Sequence, residues 1–196
     1  MKVVTLVDQL EDIVGEARLR TDAESIRSHS SDATRRFHPA DVVVFPVNTE
    51  EVARVVQLAD RERVPIVSRG GGVGYAGGAV PVMGGIVLAM QRMNRILEIN
   101  EQDMYVTVEP GITWADMTAA LAEKGLRTAF WGPFSGLKAT IGGSMSQNSV
   151  SLGSGNYGCS ADTALSFDIV LANGEILSTG SKALNTASPF FRHYGP

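Results

Sequence analysis

Nine residues, Gly70-Gly71-Gly72-Val73-Gly74-Tyr75-Ala76-Gly77-Gly78, hold six glycines and follow the apolar stretch Val64-Pro65-Ile66-Val67-Ser68-Arg69. Glycine at this density weakens a fold, because each one loses more backbone freedom than any other residue. The gain is access: without Cβ atoms, successive backbone N–H groups can converge on an anion such as a phosphate. A second segment is similarly stripped of bulk. It runs Thr140-Ile141-Gly142-Gly143-Ser144-Met145-Ser146-Gln147-Asn148-Ser149 and continues into Gly153-Ser154-Gly155-Asn156-Tyr157-Gly158. One phosphate would not need both segments; a long dinucleotide would.

Gly72-x-Gly74-x-x-Gly77 matches the dinucleotide fingerprint of a Rossmann fold. That fingerprint needs a helix starting inside the motif, so that the pyrophosphate meets its N-terminus. Here Ala79-Val80-Pro81-Val82-Met83-Gly84-Gly85 follows, and no helix can start there. A Walker A loop is excluded too, because no Gly-Lys-Ser/Thr ends the run. A glycine-rich hairpin turn holding no ligand stays open as the plain alternative.

The elements that must carry these loops follow from periodicity. Val3, Leu6, Leu10, Ile13 and Val14 recur at helical spacing. Asp41–Pro46 predicts a short buried strand. Asn48 or Thr49 caps a helix that runs to about Arg63 and buries Val52, Val55, Val56 and Ala59. Val64–Ser68 forms the next strand, so a small parallel βαβ subdomain is expected over about residues 1–68. Beyond the loop, Gly85–Met90 and Met104–Val108 read as strands joined through Met93–Asn100. Pro110-Gly111 makes a turn, and a helix from Thr113 reaches Lys124 and ends at Gly125. Residues 129–138 read as irregular and Thr140 to about Asn148 as a short helix. Ala164–Ala172 and Glu175–Ser178 read as a hairpin turned by Asn173-Gly174.

Composition narrows the function classes. The chain has 196 residues, 44% hydrophobic and 19% charged, which suits a globular core. A net charge of −4 gives no basic face for nucleic acid. One cysteine, Cys159, rules out an internal disulfide and fits a reducing compartment. Acids interrupt the apolar residues of the N-terminus, which reads as a helix and not a signal peptide. No apolar run approaches the roughly 18 residues of a membrane span. A soluble, cytoplasmic protein is expected.

Several stretches carry a resemblance, in order along the chain. They are Ser31-Asp32-Ala33-Thr34, Pro46 with Thr49-Glu50-Glu51-Val52, and Val64-Pro65-Ile66 leading into Arg69–Val80. Then come Arg92–Ile96, Val108-Glu109-Pro110-Gly111, Ala139–Gly143, Tyr157-Gly158 and Val170–Ile176. Residues from about 20 to 196 thereby resemble the N-terminal part of FAD-linked oxidases of the vanillyl-alcohol oxidase/PCMH superfamily. The likeness is to the branch with the glycolate oxidase flavin subunit, D-lactate dehydrogenase, D-2-hydroxyglutarate dehydrogenase and alkyldihydroxyacetonephosphate synthase. It implies an α+β fold, a PCMH-type FAD-binding domain of two α/β subdomains. These would be the small βαβ unit and, from about residue 69 to 196, a larger mixed, mainly antiparallel sheet with flanking helices. The same resemblance implies that the domain is C-terminally incomplete and lacks the substrate domain.

The resemblance further implies that Gly70, Gly71, Gly72, Val73, Gly74, Gly77 and Gly78 cradle the FAD pyrophosphate through backbone N–H groups. Pro110-Gly111 and the region of Pro133 would lie along the flavin or ribityl chain. Thr140, Gly142, Gly143, Ser146, Asn148, Gly155 and Gly158 would complete the far wall. Val73 stands where relatives often carry threonine, and no histidine lies between 70 and 78, so non-covalent FAD is expected. A valine at Gly72 should block approach to the pyrophosphate.

The implied chemistry is hydride transfer from a small 2-hydroxy acid, of glycolate or D-lactate type, to flavin N5. Electrons would pass to a second acceptor or partner redox subunit, in a homo- or hetero-oligomer. The family's catalytic histidines and substrate residues lie in the part beyond Pro196, so no catalytic residue is assigned. A flavin-carrying electron-transfer subunit, or an inactive fragment that needs a partner or the missing domain, is the alternative.

His29, His38 and His193 are scattered without metal-ligand spacing and read as surface or loop residues; no metal site is expected. Trp114 reads as core, whereas Trp131 is open between shielding the flavin and packing. Arg35-Arg36 and Arg92/Arg95 read as solvent-facing, and Arg69 as open to a phosphate contact. Cys159 reads as a small packed side chain after a turn.

Overall fold

The computed structural model describes residues 5–128 and 132–180. Val3, Trp131 and His193, singled out above, lie outside those residues. The chain forms two units, one of Met1–Met93 with Val170–Glu175 and one of Asn94–Ile169 with Ile176–Pro196.

The first unit contains α1 (Leu6–Val14), β1 (Leu19–Arg20), α2 (Ala23–His29), β2 (Val42–Val44), α3 (Thr49–Glu62), β3 (Ile66–Arg69) and β4 (Ile86–Ala89). One sheet has the order β1-β2-β4-β3, with β2, β4 and β3 parallel and β1 antiparallel. Val42, Val44, Ile86 and Leu88 pack with Leu10 and Val14 of α1 and with Val52, Val55 and Leu58 of α3. Val43, Val87 and Ala89 pack with Ile26 of α2 and with Ala40. Burial on both faces is why these strands read as unbroken apolar runs. Each such side chain removed from water contributes about 1.5–3 kcal/mol.

Asn48 is the cap of α3: its side-chain oxygen accepts the Glu51 N–H at 2.8 Å. The expected βαβ subdomain stops near residue 68, but the first unit runs on to Met93. The physical reason is that β4 inserts between β2 and β3, which therefore do not pair directly. The chain returns to this unit through a three-residue loop, Ala172–Gly174, and not a two-residue Asn-Gly turn. Leu171 N–H donates to the Glu175 carbonyl and Gly174 N–H to the Leu171 carbonyl, both at 2.8 Å. A Cβ on Gly174 would lie 2.8 Å from the Ala53 carbonyl oxygen, so the loop tip sits flush on α3.

The second unit contains β5 (Ile96–Asn100), β6 (Tyr105–Val108), α4 (Trp114–Ala122), α5 (Ile141–Ser146), α6 (Ser154–Tyr157) and α7 (Ser160–Thr163), with the strands β7 (Ser166–Val170) and β8 (Ile176–Gly180) near its end. Among the described residues the strands of this unit form two pairs, β5–β6, which is antiparallel, and β7–β8. β5 falls in the stretch that reads as a plain connection. A register shift between Ile96 and Glu98, with Leu97 exposed, disrupts the alternation that would have marked it.

Gly85 opens β4 at φ +78°, and a Cβ there would stand 2.9 Å from the Pro65 carbonyl carbon. Gly15 has a similar φ of +80° but nothing within 4 Å of a Cβ. With a ψ of 148° Gly15 sits in an extended positive-φ region nearly confined to glycine, so Gly15→Ala should cost only that backbone strain, about 1–3 kcal/mol. Gly85→Ala should cost clearly more, because backbone must also move. Thermal unfolding of the two variants checks this, and equal shifts in Tm would remove the Pro65 contact from the explanation.

Candidate cofactor site

β3 delivers Arg69 to the foot of the glycine loop, where the side chain turns inward and keeps only 7% of its surface. Arg69 Nη1 donates to the Ser31 carbonyl at 2.5 Å and Nη2 to the Ser28 carbonyl at 3.2 Å. The guanidinium lies directly against Gly72, where a Cβ would stand 2.7 Å from Nη1. Arg69 is thus committed to carbonyls of its own chain. The valine test at Gly72 changes meaning as well, since that side chain would strike the guanidinium.

Ser31-Asp32-Ala33-Thr34 clamps the loop from the other side. Asp32 Oδ1 accepts the Thr34 N–H at 2.9 Å and the Thr34 hydroxyl at 2.6 Å, the local bonding that suits Asp to a turn. Asp32 Oδ2 accepts the Gly77 N–H at 2.9 Å, and Ala33 N–H donates to the Gly74 carbonyl at 3.2 Å. Burial pushes the Asp32 carboxyl up, but Thr34, the Gly77 amide and the Arg69 charge outweigh it and hold it below the usual range. Burial pulls Arg69 below its usual value, partly restored by the Asp32 charge.

Pinned at 74 and 77, the loop leaves its other amides free. The N–H groups of Gly71, Gly72, Val73, Gly74, Tyr75 and Ala76 find no acceptor among the described residues. Gly70 follows β3 directly, and no helix follows Gly78. At Gly78 a Cβ would meet nothing within 4 Å. Six free donors in a row above a buried cation fit an anion such as a diphosphate.

In the second unit the structure brings Pro110, Gly111, Thr140, Gly142 and Gly143 together. Ile141 N–H donates to the Ile112 carbonyl and Gly142 N–H to the Pro110 carbonyl, both at 2.9 Å. A Cβ on Gly142 would lie 2.5 Å from Pro110 Cβ, so only glycine permits this approach. Thr140 caps α5 by accepting the Gly143 N–H at 3.2 Å. Glu109 holds the turn from behind, its carboxylate accepting the Arg95 N–H at 2.8 Å and Nη2 at 2.7 Å. Burial raises the Glu109 carboxyl, and the Arg95 hydrogen bonds and charge reverse that, leaving it below the usual range.

Trp114 is core, as expected, with its indole N–H donating to the Ser144 hydroxyl at 2.7 Å. Gly132 packs on its ring, and the Pro133 carbonyl accepts the Gly136 N–H at 2.9 Å. Other predicted residues serve local bonding. Ser146 donates to the Gly142 carbonyl at 2.8 Å, and Asn148 Oδ1 accepts the Ala161 N–H at 3.0 Å. Gly158 packs against Asp162, while Gly155 is exposed.

Arg92 and Arg95 are both exposed, as expected, and each also makes a contact: Arg95 is tied to Glu109, and Arg92 lies 5.7 Å over the Phe45 ring. His29 meets the same ring edge-on at 5.2 Å. Cys159 is half-buried just before α7, with its amide donating to the Asp162 carboxylate at 2.8 Å. Among the described residues there is no cluster of three metal-ligating side chains, and no helix is long and apolar enough to cross a membrane. Asp32, Arg69 and Glu109 are already in view from the sequence, but the contacts they make, and the part played by Ser144, are not given by motif spacing. The signals that could have found them are the Asp-x-Thr turn and an acid directly before Pro-Gly.

Residues 40–180 match the family described as FAD binding domain. The chain belongs to that family, and its cofactor is FAD. The FAD-binding domain is 42% identical over 157 residues to glycolate oxidase subunit GlcD of Bacillus subtilis (strain 168), covering 79% of this chain and 33% of that protein. It is 34% identical over 189 residues to the mitochondrial D-lactate dehydrogenase (cytochrome) of Arabidopsis thaliana, covering 94% of this chain and 32% of that protein. A solved alkyldihydroxyacetonephosphate synthase superposes with a TM-score of 0.82 at 26% identity, covering 90% of this chain and 35% of its own. The FAD-binding domain thus spans about a third of the length of these relatives.

Asp32 and Glu109 both ionise more readily folded than unfolded, so the folded state binds fewer protons in acid. Their stabilisation is complete above the ordinary carboxylate range and falls away as pH drops toward the lower folded values. Below about pH 5, wild-type protein should lose stability more steeply than Glu109→Gln, whose coupling is already gone. Chemical unfolding followed by circular dichroism across that range is the check; matching slopes would show that Glu109 does not contribute.

Proposed function

We propose that the chain is the FAD-binding part of an oxidoreductase that acts on a small 2-hydroxy acid of the glycolate or D-lactate type. The observation that carries the reading is the run of free amides at 71–76, in a chain whose family binds FAD. The relatives' names supply the substrate class. When bound, FAD would supply the electron sink for oxidation of the substrate carbon that bears the hydroxyl.

The chain's own residues bind and orient the cofactor. Gly70 to Gly74 with Gly77 and Gly78 present backbone to the diphosphate, and Asp32 fixes the Gly77 N–H that ends the cradle. Pro110, Gly111, Pro133, Thr140, Gly142 and Gly143 are assigned to the flavin and ribityl end. Ser146, Asn148, Gly155 and Gly158 support that wall. No histidine lies in the loop, so binding is non-covalent. A cytoplasmic setting agrees with the single cysteine. A second reading, an electron-transferring flavin subunit, is supported by the similarity to a glycolate oxidase subunit.

Protein passed through a desalting column should retain a flavin band near ~450 nm that denaturation releases. Gly78→Val is the cleaner site test, because a Cβ there meets no atom within 4 Å. It should leave the apoprotein Tm unchanged and weaken FAD binding by about tenfold or more, since backbone approach is lost. No flavin band and no uptake of added FAD would sink the cofactor reading. Unchanged affinity in Gly78→Val would remove the loop from the site.

A further inference from the structure

The cradle described above contains a cation that no carboxylate touches. Arg69 makes no ion pair among the described residues, and its Nε is buried with no hydrogen-bond partner. Its two bonded nitrogens reach neutral carbonyls, of Ser28 at the end of α2 and of Ser31 beyond it. Asp32 spends its oxygens on Thr34 and Gly77 and acts on Arg69 only through space, offsetting part of its field. A charge taken out of water without a contacting counter-ion is costly to bury, and its field is weakly screened there. Gly72 lies directly against this charge: a Cβ there would fall 2.7 Å from Nη1. The neighbouring amides from Gly71 to Ala76 are free to donate.

We propose that Arg69 is a positioning residue for the cofactor's diphosphate, a fixed positive charge beneath Gly72 that attracts the anion onto the loop amides without touching it. This rests on the assignment of the loop to FAD. The arginine's carbonyl bonds keep the charge in one place, so the loop needs no rearrangement to present it. Amide donors and cation then act on the same phosphate oxygens, the amides by direct bonds and the arginine through space.

The test separates charge from hydrogen bonding. Arg69→Gln keeps a donor for the Ser28 or Ser31 carbonyl and removes the charge, whereas Arg69→Lys keeps the charge on a different head. FAD dissociation constants are read from flavin fluorescence quenching on wild type and both variants, beside apoprotein melting curves. The Gln variant should bind FAD about tenfold or more weakly, the size expected of a charge acting a few ångströms away in a partly screened medium. The Lys variant should recover most of that loss. If the Gln variant does not melt cooperatively, Arg69→Met takes its place, since an apolar stem often replaces a buried charge without loss of fold.

Affinity in the neutral variant within about twofold of wild type would overturn the proposal, because a charge at this range should show. So would a Lys variant as weak as Gln, since charge would then not be the agent. Loss of fold in both neutral variants would overturn it too, by assigning the charge to folding. Wild-type protein that takes up no FAD would instead remove the cofactor reading itself.

Discussion

The glycine loop depends on one buried guanidinium. Arg69 leaves the end of β3, passes under Gly72 and bonds the carbonyls of Ser28 and Ser31. Those contacts join the third strand to the end of α2 and to the turn at 31–34. A loop this rich in glycine would otherwise sample many conformations, at a cost of roughly 0.5–1 kcal/mol per glycine. Here that ordering is completed during folding, so less of it is left for the moment of binding. The parallel strands matter for the same reason: their buried valines and isoleucine make a rigid base from which the loop leaves.

The second unit solves a similar problem with different chemistry. A buried carboxylate, Glu109, gathers the Arg95 amide and guanidinium, and this sets the backbone before Pro110. Trp114 then packs against Gly132 and bonds Ser144, which ties the start of α4 to α5. In both units an ionised group is used to hold main chain, and main chain is what faces outward. Gly72 must be small because it lies against the guanidinium, and Gly142 because it lies against Pro110, the residue after that carboxylate.

Much of this was legible in the sequence where one local rule decides. Asn48 and Thr113 cap helices because a side-chain oxygen can reach an N–H three residues on, at Glu51 and Asp116. The glycines of the loop and the apolar runs of β2 and β4 announce themselves by type. The rest depends on partners distant in sequence. Asp32 meets Gly77 across 45 positions, and nothing in either neighbourhood names the other. The insertion of β4 between β2 and β3 is a choice among strand orders that have the same local pattern. β5 was hidden because its register shift breaks the alternation by which half-buried strands are recognised. Arg69 stands beside a candidate anion loop, so only its buried pose shows that it grips carbonyls.

The tip at Ala172–Gly174 lies on α3, with Gln57 Nε2 donating to the Gly174 carbonyl at 3.4 Å. Its strand residue Val170 packs against the first core. The first unit is therefore discontinuous along the chain, and its last piece leaves the ribosome well after Met93. Until Val170–Glu175 has been made, the nascent unit keeps an uncovered strip of α3. Closing that strip spans 117 positions between Gln57 and Gly174, a long-range contact of the kind that slows folding. During synthesis the intervening residues, which include all of β5 and β6, are present before the first unit can be completed.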